Sequence, residues 1–185
     1  MKGQPMPWIG LALILIILNG CGGSRAPQGK PAPELQVESS AFRAGEAIPT
    51  RYTCDGEDLS PALSWSEPPA GSQSLAVLCD DPDAPVGIWV HWVLFNIPPT
   101  TRSLPEGVPA DPVVAEVGTQ GSNSWHRLGY GGPCPPAGST HRYYFKVYAL
   151  DTRLALQAGA DKQAVEQAMK GHILAEGQLM GRYSR

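Results

Sequence analysis

Two buried strands joined by an acidic elbow are encoded by Leu75-Ala76-Val77-Leu78-Cys79-Asp80-Asp81-Pro82-Asp83-Ala84-Pro85-Val86-Gly87-Ile88-Trp89-Val90-His91-Trp92. The apolar opening, Leu75 to Cys79, predicts one strand, and Val90 to Ile97 predicts the other. Pro82 and Pro85 fix their own φ and push Asp81 and Ala84 toward extended backbone, so the elbow is stiff. A stiff acidic elbow between core strands, with His91 opening the return, is a candidate site. The same carboxylates also suit a plain Asx-type turn, in which Asp81 or Asp83 bonds a nearby backbone amide.

Outward from the elbow, the chain reads mostly as β-structure. Leu35 to Ser39 alternates apolar and polar residues, Arg51 to Gly56 leads into an Asp-Gly turn, and Pro61 to Trp65 is a short extended segment. Pro98 to Pro136 reads as a long irregular region with one apolar run, Val113 to Ala115; loops of that length are usually functional. Within it, Gly129-Tyr130-Gly131-Gly132-Pro133-Cys134-Pro135-Pro136 could wall a pocket with backbone atoms. From His141 to Asp151 a strand puts Tyr143, Phe145, Val147 and Ala149 on one face, with His141 at its mouth. Asp161 caps a predicted helix whose stripe is Val165, Ala168, Met169, His172 and Ile173, with Gly177 ending it and Gln178 to Tyr183 returning as a short strand.

The N-terminus predicts an exported protein. Trp8 to Leu18 is an eleven-residue apolar run, shorter than the roughly 20 residues that span a bilayer and suited to a secretion signal. Leu18-Asn19-Gly20-Cys21 resembles a lipobox, which implies removal of residues 1–20 and acylation of Cys21. Residues 21–33 then form a Gly/Pro-rich tether, and 34–185 one folded domain. Gly22 after the cysteine favours the outer membrane, facing the periplasm, as the place of display. Without Lys2 the chain carries 13 basic against 17 acidic residues, a net of about −4 with no basic block, which argues against nucleic-acid binding.

Three cysteines remain beyond Cys21. Cys79, in an apolar strand, reads as a buried free thiol. Cys54 and Cys134 lie in Gly-rich loops and are the candidate disulfide, which needs Cα atoms within about 7 Å.

Taken together, Ser60-Pro61-Ala62-Leu63-Ser64-Trp65, Asp81-Pro82-Asp83-Ala84-Pro85, His91-Trp92, Gly129-Tyr130 with Gly132-Pro133, His141-Arg142-Tyr143 and Gly171-His172-Ile173-Leu174-Ala175 resemble the phosphatidylethanolamine-binding protein family, in its bacterial Raf-kinase-inhibitor-like branch. The resemblance implies an antiparallel Greek-key β-sandwich with a few peripheral helices and one small pocket. Carried over by position, Asp81, His91, His141 and Tyr143 line that pocket, Asp83 is counted with them, and Gly132 and Pro133 form a wall. Imidazolium, phenol and backbone N–H groups suit a phosphate, and a carboxylate suits a neighbouring ammonium, so the expected partner is a small anionic or zwitterionic phosphate-bearing ligand. Binding should weaken as the histidines deprotonate.

The sequence departs from eukaryotic members where Val90-His91 replaces Trp-His-His and where the chain stops soon after Tyr183. A more open pocket is the expectation, and kinase inhibition does not carry over. No cofactor is implied. A metal site from Asp81, Asp83, His91 and His141 lacks H-x-x-x-H spacing, and no G-x-S-x-G nucleophile elbow is present, so neither metal nor enzyme chemistry is expected. The alternative is a protein-binding or protease-inhibiting module using the loops of Pro98 to Pro136.

Overall fold

The computed structural model describes residues 1–3 and 33–185. The expected leader, Cys21 and the tether as far as residue 32 lie outside the described residues. Among those described, no helix is long and apolar enough to cross a membrane.

The elbow's first strand sits at the centre of the fold. Strand β3 (Ser74–Asp81) is buried at every position, because both of its faces are covered, and this is why its sequence runs apolar without alternation. It pairs antiparallel with β4 (Trp89–Ile97) on one side and β8 (Thr140–Leu150) on the other. Strand β9 (Ile173–Ser184) extends the sheet beyond β8, and β7 (Gly118–Gln120) and β6 (Val113–Val114) extend it beyond β4, in the order β6-β7-β4-β3-β8-β9. The spatial run β8-β3-β4-β7 is a Greek key, since β8 returns by a long connection to lie beside β3. A second antiparallel sheet orders β1 (Val37–Glu38), β2 (Leu63–Trp65) and β5 (Ser103–Leu104) as β1-β2-β5.

Side-chain alternation divides the core in two. Leu75, Val77 and Cys79 of β3 join Phe145 and Val147 of β8 and Leu63, Trp65 and Leu104 of the small sheet in the sandwich interior. Ala76 and Leu78 face the other way, where Val93, Phe95 and Leu154 meet Val165 and Met169 of α1 (Lys162–Met169). Asp161 caps that helix, accepting from the Ala164 amide at 2.8 Å. Besides α1, the described residues hold one 3₁₀ turn, Thr50–Tyr52, so the helices are fewer than expected, and the chain from Cys54 to Glu57 makes the turn expected at Asp55-Gly56. The region from Pro98 to Pro136 is also less irregular than its composition suggests, since it supplies β5, β6 and β7.

The helix is shorter than its apolar stripe predicts. It ends at Met169; the His172 amide bonds the Met169 carbonyl at 3.0 Å, and Gly171, at φ +81°, turns the chain. Ile173 then starts β9 opposite Leu150. Met169 and Ile173 continue one stripe because the helix and the following strand cover the same apolar face. His172 lies outside the helix, with its Nδ1 2.7 Å from Asp151.

Gly177 is not a helix stop but a mid-strand glycine. The segment ahead of β1 runs along the edge of β9, with the Leu35 amide donating to the Glu176 carbonyl (2.7 Å) and the Glu176 amide to the Pro33 carbonyl (3.1 Å). A Cβ at position 177 would strike the Leu35 carbonyl. Gly177→Ala is therefore expected to cost about 1–3 kcal/mol by overpacking, read as a lower urea midpoint with an unchanged slope.

Candidate functional site

Alternation in β3 carries Asp81 to the same face as Leu75, Val77 and Cys79, at the end of the sandwich interior. On β8 the same alternation brings His141 and Tyr143 inward with Phe145 and Val147. His91 arrives differently. Between β3 and β4 the register passes from Cys79↔Trp92 to Asp80↔Val90, so His91 is an extra residue, a β-bulge. Trp92 stays in the interior core and Val90 packs on the opposite face. Released from strict alternation, His91 turns toward Tyr143, with ring centroids 5.0 Å apart at 87°.

The three titratable partners are held differently. The His141 Nδ1 lies 2.7 Å from the Asp81 Oδ2, and the Asp81 Oδ1 accepts from the Asp83 amide at 2.8 Å. The elbow therefore contains the Asx turn and the candidate site at once. The His91 Nδ1 lies 2.6 Å from the Gly131 carbonyl. A carbonyl only accepts, so Nδ1 carries a proton and Nε2 is the atom left for chemistry. Burial pushes the His91 pKa below its ordinary value, against the Gly131 carbonyl and the Asp81 carboxylate, which act to raise it. Tyr143 is fully buried, yet its hydroxyl has no hydrogen-bond partner among the described residues. Burial first, then the Asp81 charge, pushes its phenol pKa up.

Asp83 is placed elsewhere. Its carboxylate accepts from Arg142 three times, from the backbone amide at 2.9 Å, Nε at 2.8 Å and Nη2 at 2.6 Å. That guanidinium holds the Asp83 carboxyl down at about 2. Arg142 belongs to the outer face of β8, so Asp83 clamps the elbow across the sheet edge instead of pointing among the histidines.

The glycine loop is tied to the segment from Tyr52 to Asp58. The Gly132 amide donates to Asp58 Oδ1 at 2.6 Å, the Cys54 amide to the Pro133 carbonyl at 3.1 Å, and the Tyr130 hydroxyl to the Tyr52 carbonyl at 2.9 Å. Cys54 and Cys134 form a disulfide between the same two loops, with Cα atoms 5.5 Å apart. A Cβ on Gly131 would lie 2.7 Å from the Trp125 ring, and one on Gly132 would run into the Thr53 backbone at 2.7 Å.

The side chains of the site are buried. None of Asp81, His91, His141 and Tyr143 is more than 5 % exposed. The C-terminal residues tighten the wall: the Tyr183 hydroxyl donates to Asp55 at 2.8 Å, and Arg185 reaches Asp55 at 3.1 Å and the Cys134 Sγ at 3.5 Å. Among the described residues no group of three or more His, Cys, Asp or Glu side chains could hold a metal ion. Cys79 is free and buried, and burial pushes its thiol pKa well up.

Four contributors escape a reading of the sequence. Arg142 stands between two inward residues and signals only an outward side chain. Trp125 edges the His91 ring at 5.1 Å from a distant loop. Asp58 acts through a contact no local pattern encodes, and the Gly131 carbonyl belongs to a loop whose backbone was expected at the pocket but whose bond to His91 was not.

Comparison with known proteins agrees with this fold. The family described as phosphatidylethanolamine-binding protein matches residues 38–184. A UPF0098 protein of Methanothermobacter thermautotrophicus is 51 % identical over 151 residues, covering 82 % of this chain and 99 % of that protein. One from Aquifex aeolicus is 48 % identical, covering 82 % of this chain and 89 % of its own. Among solved structures, a phosphatidylethanolamine-binding protein homolog of Chlamydia trachomatis superposes with TM-score 0.74 at 40 % identity, covering 83 % of this chain and 99 % of that one. E. coli YbcL, a member of the mammalian PEBP family, gives 0.76 at 34 % identity, covering 82 % and 99 %. The two solved chains consist almost wholly of the matched region.

Two pH windows follow for residues 33–185. His91 is held neutral, so the unfolded chain, with a pKa of about 6.5, binds the proton first and stability falls as pH drops below that value. Asp83 acts lower: its stabilisation is complete above the ordinary carboxylate range and is lost as pH falls toward about 2. Urea midpoints from pH 8 to 2 are expected to fall less for His91→Gln between pH 7 and 5, and less for Asp83→Asn between pH 4 and 2, than for the parent.

Proposed function

The chain belongs to the phosphatidylethanolamine-binding protein family, and on that premise we propose that it binds, without catalysis, a small phosphate-bearing anion or zwitterion in the pocket of Asp81, His91, His141 and Tyr143. The observation that carries this reading is the Tyr143 hydroxyl, a buried donor without a partner, beside a histidine whose Nε2 is left unused. Leaving a buried donor unsatisfied costs about 1–3 kcal/mol. A phosphate oxygen would take that proton, and protonation of His91 on binding would supply a second, charged donor. Asp81 with His141 offers the carboxylate that an ammonium substituent would meet. The names of the family and of these relatives include no enzymatic activity.

The same proposal includes display at the cell envelope. The apolar run Trp8 to Leu18 followed by Cys21 supports a lipid-anchored form on the periplasmic side of the outer membrane, with the tether giving the domain reach.

Calorimetry of residues 33–185 with phosphate, phosphorylethanolamine and phosphorylcholine tests the pocket. Affinity is expected to rise as pH falls through the range where His91 protonates, and to be lost in the His91→Ala, His141→Ala double variant. Tyr143→Phe is expected to weaken binding about tenfold or more while leaving stability unchanged or raised by about 1 kcal/mol, since it removes an unsatisfied donor. No binding of any of the three by the parent domain, or a Tyr143→Phe variant that binds as tightly as the parent, overturns the reading.

A further inference from the structure

The elbow that supplies Asp81 also ends in a protruding apolar tip. From Ala84 to Val90 no residue is charged, and Pro85, Val86, Gly87 and Ile88 are all exposed. Val86 is 78 % and Ile88 60 % exposed. Single exposed hydrophobic side chains are ordinary on a soluble surface. Two on one turn, followed at once by a tryptophan, are not accounted for by any packing within the domain.

The tip is preorganised. The Gly87 amide donates to the Ala84 carbonyl at 3.0 Å, closing a turn with Pro85 and Val86 at its apex, and Gly87 takes a left-handed φ of +99°. At its foot the Asp83–Arg142 clamp and the Asp83–Asp81 bond fix it to the sheet. Ordering this loop on a partner therefore costs little entropy.

What surrounds the tip identifies the partner's chemistry. Trp89 follows it directly and meets the Trp125 ring at 5.3 Å, and the Arg127 guanidinium lies over Trp125 at 5.6 Å. On the other flank Ile88 shares a cavity of about 320 Å³ with Asp80, Tyr144, Arg142 and Lys146, where Arg142 is paired with Asp83 and Lys146 with Asp80. An uncharged apex above a collar of aromatic rings, with the Arg127 guanidinium on Trp125, matches the profile of a bilayer: acyl chains at depth, indole and phenol at the headgroup level, and a cationic group at the phosphates. A protein groove has no need of that layering.

We propose that the turn Pro85–Ile88 is a membrane-inserting loop that seats the domain on a phospholipid surface, with Trp89, Trp125 and Arg127 at the headgroup level. The insertion stands on the tip and its collar alone; the further statement, that the loop brings lipid headgroups to the pocket, rests on the function proposed above.

The test uses residues 33–185 and vesicles of mixed phosphatidylethanolamine and phosphatidylglycerol with brominated acyl chains. The parent is expected to cosediment and to show quenched tryptophan fluorescence, with most of the quenching absent in Trp89→Phe. Val86→Ser with Ile88→Ser, both on the surface and tolerable to the fold, is expected to lose about tenfold or more in vesicle partitioning, while calorimetric binding of soluble phosphorylethanolamine stays as in the parent. Equal partitioning and quenching in the double variant, or neither in the parent, overturns the loop. Insertion without any soluble-ligand binding supports the loop and sinks only the pocket reading.

Discussion

An antiparallel strand sends successive side chains to opposite faces, so once Leu75, Val77 and Cys79 are committed to the sandwich core, Asp81 must follow them inward. The same rule on β8 commits His141 and Tyr143. Burying a carboxylate at that depth is costly unless it is paired, and the imidazole of His141 at 2.7 Å provides the pairing. The rule is broken at the His91 bulge, which lets two consecutive residues, His91 and Trp92, both lie buried on the interior side. A second irregularity, between Leu75 and Val77, spans Asn96, whose φ is +56° and whose amide bonds both backbone groups of Leu154. It restores Ile97 to the interior, so β4 closes its core pattern at both ends while giving up one histidine to the site.

Around this constraint the site is assembled from distant parts of the chain and held shut. The loops near Cys54 and Cys134 are tied by one disulfide and three hydrogen bonds, and the last residues fasten onto Asp55. Rigidity here has a physical use. A phosphate bound as proposed would meet donors whose directions are already set, and the cost of an unsatisfied phenol is borne by a fold with both faces of its central strand covered. Asp83, spent on Arg142, serves the same end by fixing the elbow instead of contacting ligand.

The elbow thereby joins two environments within a few residues. Asp81 at its foot is buried and polar; Val86 and Ile88 at its apex are exposed and apolar. A pocket for a phosphate-bearing headgroup beside a loop suited to the bilayer interface is a coherent pairing, because the ligand and the surface would then be parts of one lipid.

Much of the fold was legible because it rests on periodicity. The β3–β4 pair, the Tyr143-to-Ala149 face and the Asp161 cap are local patterns, and local patterns survive into structure. The helix end was misread because Met169 and Ile173 continue one apolar stripe across a turn; a period cannot distinguish a longer helix from a helix and strand sharing a face. Of the site, Asp81 and His91 were marked by the acidic elbow, His141 and Tyr143 by alternation and the glycine loop by its composition, and the family resemblance joined them into one pocket. Sequence by itself determined which residue types sit at which strand positions. Only the tertiary structure decided that His91 turns inward, that Asp83 is taken by Arg142, that position 177 has no room for a Cβ beside the Leu35 carbonyl and that all four site side chains are buried. Each of these depends on a contact between segments far apart in the chain, where the outcome is set by register and close packing and not by any local preference.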